Sequence, residues 1–288
     1  MTSAYCPAHI TCFFSPSPLD NIIKTGSVGV GIRLKAGTVV HLDEIRGSTK
    51  VIIDGKEDEA KITRHVLEHM ALGRNFEVNV ECGLPPGQGF GMSASGAVAT
   101  ALCLAEIQGK SRTKAFEAAH IADIVCGGGL GDVAGLMCDA DVPVRARAGF
   151  PPFGEVNSAG ISFDNLTVVV LGEKLSTAEV LGNSESVKKI CVAGEKAMNE
   201  FAAKGAADKK GLMFNLSNKF SSEAGVRGQA VNEAIKKLEK NGIRSAMCML
   251  GNSIFTDGNK EEVSRILGTG KVFSSSSTNE PARIIQKV

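Results

Sequence analysis

A glycine-rich segment, Leu84–Ala97 (LPPGQGFGMSASGA), carries the pattern most suggestive of chemistry. It follows the alternating stretch Phe76–Cys82, which predicts a strand, and it opens an Ala-rich stretch that predicts a helix. Its glycines let the backbone turn N–H groups toward one centre, because no Cβ stands in the way. The start of the helix adds free N–H groups and a partial positive charge. This segment, called the glycine loop below, therefore predicts an anion site suited to phosphate.

The spacing within the glycine loop separates it from two common nucleotide motifs. No Gly-Lys-Ser/Thr follows, so no lysine reaches the phosphates as it does in a P-loop. The Gly-x-Gly-x-Gly order lacks the acidic residue, about 20 positions on, of a dinucleotide site. Ser93 and Ser95 can offer hydroxyls to phosphate or Mg²⁺. The structural alternative is a glycine-rich connection with a serine helix cap.

Further polar residues have spacings that can serve catalysis. Asp132 follows a second glycine stretch, CGGGLG, and suits either a helix N-cap or a catalytic carboxylate. His120 and Asp123 are three residues apart and share one helix face, which is equally expected of a solvated pair. The run His65–His69 (HVLEH) fits a zinc-peptidase pattern, but so short a pattern arises by chance and nothing else supports it.

Composition limits the classes of function. The net charge of +1 predicts no nucleic-acid partner and no polybasic membrane contact. No stretch reaches the roughly 18 apolar residues of a membrane span. The eight cysteines are scattered without a C-x-x-C pair, and the start MTSAYCPAHI lacks the features of a signal peptide. These observations predict a cytoplasmic protein with reduced thiols.

Length and periodicity predict two α+β domains. The 288 residues exceed a typical single core. In the first half, alternation predicts strands at 4–14, 27–34, 37–42 and 50–54, and helical spacing predicts a helix over Lys56–Leu72. The second half opens with the strand LTVVVLG and continues with helices and short strands. The Pro/Gly-rich stretch 149–159 favours domains at 1–158 and 159–288.

Three ordered motifs resemble those of the GHMP kinases. The first, Pro85–Ala94 (PPGQGFGMSA), is similar to the family's loop of a proline followed by Gly-x-Gly-Leu-Gly-Ser-Ser-Ala, with Phe90 for Leu and Met92 for the first Ser. The second, GGGLGDVA at 127–134, resembles the family's Gly-Ser-Gly-x-Asp-Val loop. The third, MLGNSIF at 249–255, resembles its C-terminal glycine motif. The resemblance implies an N-terminal domain like ribosomal protein S5 domain 2 and a ferredoxin-like C-terminal domain.

Within this superfamily the motifs are most similar to those of archaeal pantoate kinases. The likeness rests on the run PAHITCFF at 7–14, the strand GSVGVG at 26–31, and His120 with Asp123 before the loop GLGDV. Asp123 stands where that family usually has Glu. The resemblance implies transfer of a phosphoryl group from ATP to the 4-hydroxyl of (R)-pantoate, a step of archaeal coenzyme A biosynthesis.

The resemblance also implies a role for each candidate residue. Asp132 would orient or deprotonate the attacking hydroxyl, and Ser93 with Asp123 would hold Mg²⁺. Ser27, His120 and Arg145 would bind pantoate, with Arg147 as the alternative arginine, while His9 is expected to be structural. ATP would contact the loop residues Pro86, Gly87, Gln88, Gly89, Phe90, Gly91, Met92, Ser93, Ala94 and Ser95.

Two alternative functions stay open at this stage. Another GHMP kinase, acting on homoserine, shikimate or a mevalonate derivative, would carry the same phosphate loop. A ligand sensor on the same fold would bind nucleotide without turnover, although Asp132, Ser93 and Asp123 together favour an enzyme. The partners expected are a small-molecule substrate and a second copy in a homodimer.

Overall fold

The computed structural model describes residues 1–71, 73–175, 177–204, 208–268 and 271–287, leaving out the side chains of Thr177 and Ala178. Its strands, in chain order, are β1 (Thr2–Ser17), β2 (Gly26–Ile45), β3 (Lys50–Ile53), β4 (Lys56–Glu57), β5 (Asn75–Cys82), β6 (Pro143–Arg147), β7 (Glu155–Ser158), β8 (Leu166–Val170), β9 (Ser245–Met247), β10 (Ser253–Thr256), β11 (Val272–Ser275) and β12 (Arg283–Gln286). Its helices are α1 (Lys61–Met70), α2 (Met92–Gln108), α3 (Arg112–Val125), α4 (Asp132–Met137), α5 (Thr177–Gly182), α6 (Ser184–Ala203), α7 (Lys209–Glu223), α8 (Gln229–Glu239) and α9 (Lys260–Leu267).

Two sheets organise these elements. The larger sheet follows the order β12-β1-β2-β5-β3-β4, and β6 pairs with both β2 and β7. The smaller sheet is antiparallel throughout, in the order β11-β8-β10-β9. Helices α1 to α4 accompany the larger sheet, α8 and α9 pack on the smaller one, α6 packs on β1 of the larger sheet, and α7 contacts both β1 and β9. The arrangement confirms the α+β class that the periodicity predicted. No helix in the described ranges has the length and apolarity needed to span a membrane.

Strand β1 joins the two hydrophobic cores. Its first part places Ala4 and Cys6 in a core with β5, α1, α2 and α3. Its second part places Phe13 and Phe14 in a core with the smaller sheet, where their rings contact Phe201 and Phe220. The residues between these two parts therefore lie where the cores meet, which fixes their backbone against both halves of the chain.

Several boundaries differ from the prediction. The strands predicted at 27–34 and 37–42 are one long strand, β2, because Gly37 lies against the Cys6 backbone and does not end the pairing with β1. The helix predicted from Lys56 begins only at Lys61, after the short strand β4; its predicted end, Leu72, lies outside the described residues. Strands β6 and β7 carry too few alternating residues to be predicted from sequence.

The predicted division at 158/159 stays a prediction. Strands β1 to β7 precede it and the smaller sheet follows it, but β12 returns to the larger sheet. There Ala4 pairs with Ile284 and Tyr5 with Arg283. The last described strand thus ties the end of the chain to its beginning.

Substituting Gly194 tests the packing of α6 on β1. An added Cβ at Gly194 would lie 2.5 Å from the Phe14 carbonyl carbon and 2.9 Å from the Ser15 nitrogen, and backbone cannot move aside cheaply. We expect Gly194→Ala to lower the free energy of unfolding by about 1–3 kcal/mol in urea titrations followed by circular dichroism. Gly182→Ala is the control, since no atom lies within 4 Å of its added Cβ. Equal stability of the two variants would contradict this packing.

Candidate active site

A cavity of about 130 Å³ brings most of the predicted site residues together. The glycine loop and the start of α2 form one wall, and the second glycine stretch with Asp132 forms another. Residues from β1, β2 and β6 complete it, together with Met249 and Leu250 of the C-terminal glycine motif. The predicted residues that line it are Ser27, Gly87, residues 89–94, Asp123, Asp132 and Arg145.

The glycine loop presents the start of α2 to this cavity. Helix α2 begins at Met92, and Gly91 at its N-cap offers no side chain to satisfy the first amides. The amides of 92–94 therefore have no partner within the helix, whereas Ser95 N–H already donates to Gly91 O (2.9 Å). Ser93 is exposed here and lines the cavity. Three free amides and one hydroxyl form an anion cradle.

The C-terminal glycine motif packs closely against the backbone of the glycine loop. Gly89 has φ of +77°, and a Cβ there would lie 2.7 Å from the Cys248 carbonyl oxygen. A Cβ at Gly251 would in turn lie 2.7 Å from the Gly89 nitrogen. Ser253 Oγ donates to Gln88 O at 2.5 Å. Only glycine fits such a close approach of two backbones, so two motifs distant in sequence fix one loop.

Three predicted loop residues do not face this cavity. Gln88 is buried, and its side-chain amide donates to Gly172 O (3.0 Å). Ser95 is fully buried, and its hydroxyl donates to Cys6 O (2.8 Å). These two side chains hold the loop in place, and the nucleotide contact expected of Gln88 and Ser95 stays a prediction. Pro86 lines an adjoining cavity of about 220 Å³, which also includes Gly87, Met92 and Ser93.

Asp123 and Asp132 bring two carboxyl groups to the same cavity. Burial raises the pKa of Asp123 well above its usual value, the negative charge of Asp132 adds to this shift, and a hydrogen bond from Gly129 N–H opposes it. Asp123 lies at the end of α3 and Asp132 at the start of α4, so the second glycine stretch folds around both. Two acidic groups this close are stabilised by a shared cation.

His9 holds Asp132 in position. Its Nδ1–H donates to Asp132 Oδ1 at 2.7 Å, and the Thr11 hydroxyl approaches the same oxygen at 3.4 Å. Burial lowers the pKa of His9, although the hydrogen bond to Asp132 opposes that shift, so the ring is neutral and donates through Nδ1. The backbone N–H of His9 donates to Phe90 O (3.1 Å). One residue thus connects the glycine loop with Asp132.

The bond from His9 to Asp132 is not visible in the sequence pattern. The run PAHITCFF marked His9, but a histidine within an apolar strand is most often only a core residue. Its strand partner is Arg33 and its carboxylate partner lies 123 positions away, so no local spacing reveals the pair.

Arg145 is a buried cation with unused donors. Its side chain is 1% exposed, and its Nε and Nη1 have no hydrogen-bond partner among the described residues. A Cβ at Gly131 would lie 2.5 Å from Arg145 Nε, so glycine at 131 leaves room for the guanidinium beside Ser27. Burial lowers the pKa of Arg145, the charge of Asp132 opposes this, and a guanidinium keeps its charge in proteins. An unpaired buried charge of this kind calls for an anionic ligand.

His120 is not among the residues that line the cavity. Its Nε2 lies 3.3 Å from Ile22 O, and its ring contacts the Phe150 ring. Burial lowers its pKa, so it is a neutral donor to the loop between β1 and β2. Its contact with substrate stays a prediction: spacing placed it on the face of Asp123, and its ring bonds to Ile22 O.

The donor set fits a hard divalent cation. Asp123, Asp132 and the Ser93 hydroxyl offer oxygen ligands around one space, which is what Mg²⁺ prefers. By contrast, the described residues hold no group of three or more His, Cys, Asp and Glu able to bind a metal, so the zinc pattern at 65–69 gains no support.

Comparison with known proteins agrees with this geometry. The model of the GHMP kinases N terminal domain matches residues 60–139. A pantoate kinase of Thermococcus kodakarensis is 34% identical over 274 residues, covering 91% of this chain and 89% of the relative. A pantoate kinase of Methanocaldococcus jannaschii is 30% identical over 260 residues, covering 89% of this chain and 93% of the relative.

Solved structures extend the comparison to the whole fold. A phosphotransferase related to the coenzyme A biosynthesis pathway superposes with a TM-score of 0.85, at 30% identity and 98% coverage of both chains. A homoserine kinase from Cytophaga hutchinsonii superposes with a TM-score of 0.69 at 16% identity, covering 99% of this chain and 97% of its own, which supports the fold alone.

Fold and site together define a small-molecule kinase of the GHMP type, as the motifs predicted. Within that class, the chain belongs to the pantoate kinase family.

Removing the Nδ1–H donor of His9 tests whether this bond orients the Asp132 carboxylate. We expect His9→Phe, which keeps a ring but has no donor, to lower kcat by about 10²-fold because the carboxylate loses its orientation. His9→Asn keeps an N–H at the Nδ1 position and should restore much of the rate. The KM for ATP should change little, since the bond to Phe90 uses the backbone.

Thr11→Val is the matched control for the His9 variants. It removes only the longer 3.4 Å contact to Asp132 and keeps the side-chain shape, so kcat should fall less than about fivefold. Equal rates for His9→Phe and His9→Asn, or an effect confined to thermal stability, would contradict a positioning role.

Proposed function

We propose that the protein transfers the γ-phosphoryl group of ATP to the 4-hydroxyl of (R)-pantoate, giving ADP and 4-phosphopantoate. The buried guanidinium of Arg145 supports this most directly, because Arg145 has two unpaired donors and lines the cavity that Asp132 and the start of α2 also line. Pantoate carries both groups that such a cavity needs, a carboxylate and a primary hydroxyl. The names of the relatives support the same substrate.

The glycine loop is proposed to bind the phosphates of ATP. The amides of 92–94 would donate to phosphate oxygens at the positive end of α2. The adjoining cavity of about 220 Å³, lined by Ile53, Thr63 and Pro86 among others, would take the adenosine part, since it meets the first cavity at Gly87 and Ser93. The nucleotide would then lie along the loop with its γ-phosphate toward Asp132.

Ser93 and Asp123 are proposed to hold Mg²⁺. When bound, the ion would neutralise charge on the β- and γ-phosphates. Asp123 is one methylene shorter than glutamate, and its raised pKa is consistent with a carboxyl group that ionises fully only beside a cation. The negative charge of nearby Asp132 makes the binding of a cation beside Asp123 more favourable.

Asp132 is proposed to act on the attacking hydroxyl. Its carboxylate would accept the proton of the 4-hydroxyl while that oxygen bonds to the γ-phosphorus and the bond from phosphorus to the β–γ bridging oxygen breaks. ADP leaves with that electron pair, and the proton passes from Asp132 to solvent. His9 fixes the Oδ1 atom of Asp132, which leaves Oδ2 for the hydroxyl. Catalysis of this kind rests mainly on position and charge.

Arg145 and Ser27 are proposed to bind the pantoate carboxylate. A guanidinium can grip a carboxylate with two parallel hydrogen bonds, and Nε and Nη1 of Arg145 are both unused. Ser27, on β2, lines the same part of the cavity. By family likeness we also propose that two copies form a homodimer and that the enzyme works in the cytoplasm.

A panel of hydroxy acids tests the proposed reaction. We expect ADP release and a new phosphomonoester with (R)-pantoate in the presence of ATP and Mg²⁺, and little turnover with homoserine, shikimate or mevalonate. Asp132→Asn should lower kcat by about 10²–10⁴-fold, since the general base is lost. Turnover with mevalonate and none with pantoate would refute the substrate, and ATP binding without turnover of any alcohol would identify a sensor instead.

Arg145→Ala tests carboxylate binding. Loss of a paired guanidinium should raise the KM for pantoate by roughly 10²-fold, while the KM for ATP stays within about threefold. Arg147→Ala is the matched control, since Arg147 is exposed and pairs with Glu155 at 3.5 Å. If Arg147→Ala produced the large effect and Arg145→Ala did not, the assignment of the arginine would be wrong.

A further inference from the structure

Lys174 lies directly over the glycine loop. A Cβ at Gly87 would be 2.8 Å from Lys174 Cδ and 2.9 Å from its Cγ, so the methylene chain of the lysine rests on the glycine backbone. Lys174 belongs to residues 171–175 (LGEKL), which follow β8 and are called the β8 connection here. It therefore comes from the part of the chain that carries the smaller sheet, not from the glycine loop itself.

Hydrogen bonds from both glycine motifs fix the β8 connection. The Gln88 side chain donates to Gly172 O (3.0 Å), and the Asn252 side chain donates to Glu173 O (2.9 Å). Leu171 N–H donates to Asn252 O (2.8 Å). Three bonds around residues 171–173 give Lys174 a defined backbone position, unlike that of an ordinary surface lysine.

Lys174 packs on Gly87, the residue at which the adjoining cavity meets the first one. Lys174 lines that cavity together with Gly87, Ser93 and Cys82. Burial raises the pKa of the Cys82 thiol to about 11, and the charge of Lys174 opposes this shift, which places the ammonium within electrostatic reach of Cys82. Lys174 is exposed and forms no ion pair within the described ranges.

The proposed phosphate site needs the positive charge of Lys174. The glycine loop contains neither Lys nor Arg, and the one cationic side chain on the described wall of the first cavity, Arg145, faces Asp132 and Ser27. A triphosphate brings several negative charges to a cradle built from neutral amides. A lysine placed across the loop meets those charges from the open side.

We propose that the Lys174 ammonium binds the phosphate chain of ATP and replaces, from another part of the fold, the lysine that a P-loop carries within its own sequence. The inference rests on the proposed nucleotide site in the glycine loop. Leu175, the next residue, lines the first cavity, so one short connection contacts both the phosphate region and the space beside it. Nucleotide binding would thereby join the β8 connection to the start of α2.

Binding measurements on charge variants test this role. We expect Lys174→Met, which keeps the methylene packing on Gly87, to weaken binding of β,γ-imido-ATP with Mg²⁺ about tenfold by calorimetry, equivalent to about 1.4 kcal/mol. Adenosine, measured by displacement, should bind both proteins equally. Lys174→Arg should recover most of the affinity. Lys236→Met, which removes an exposed charge on α8, is the control and should match the parent protein.

Two results would overturn the proposal. Unchanged affinity of Lys174→Met for β,γ-imido-ATP would show that the ammonium lies in solvent, and an equal loss for adenosine would show that only packing was disturbed. Turnover of (R)-pantoate by the parent protein, measured on the same preparation, separates either result from a failure of the proposed function.

Amine labelling gives an answer that does not depend on a variant. With the parent protein, β,γ-imido-ATP and Mg²⁺ should protect Lys174 from acetic anhydride, as measured by peptide mass spectrometry, and should leave Lys236 labelled. Labelling of Lys174 that is the same with and without nucleotide would contradict the contact.

Discussion

The hydrogen bond from His9 to Asp132 is the interaction on which the site depends. His9 is fully buried where the two cores meet on β1, and its backbone bonds to Phe90 while its ring bonds to Asp132 at 2.7 Å. The amides at the start of α2 and the Asp132 carboxylate therefore share one rigid support. A reaction that relies on position more than on covalent chemistry gains most from such rigidity.

Without ligands, charged groups of the site lack partners of opposite charge. Burial raises the pKa of Asp123 and the negative charge of Asp132 adds to this shift, while Arg145 keeps two donors unused in a buried setting. A cation near the two carboxyl groups and a carboxylate on Arg145 would satisfy both demands. Each unpaired buried charge weakens the folded state, so ligand binding recovers free energy that folding alone does not. The charge distribution of the cavity therefore favours the binding of charged molecules.

Local sequence patterns predicted individual residues of this site. They did not predict the contacts between residues that are far apart in the chain. The glycine loop, Asp132 and Arg145 were predictable because Gly spacing and family motifs mark them directly. The spacing of His120 from Asp123 defines a helix face but does not reveal that its ring bonds to Ile22 O. Only tertiary contacts, to Cys6 and Gly172, reveal where the side chains of Ser95 and Gln88 bond. His9 and Lys174 act across the fold, and no window of sequence contains their partners.

A crystal structure with β,γ-imido-ATP, Mg²⁺ and (R)-pantoate tests the central claim most directly. The γ-phosphate should lie against the amides of 92–94, with the pantoate 4-oxygen about 3–3.5 Å from the γ-phosphorus and within hydrogen-bond reach of Asp132. The pantoate carboxylate should contact Arg145. A triphosphate bound away from the glycine loop, or loop amides turned into the protein body, would contradict the claim.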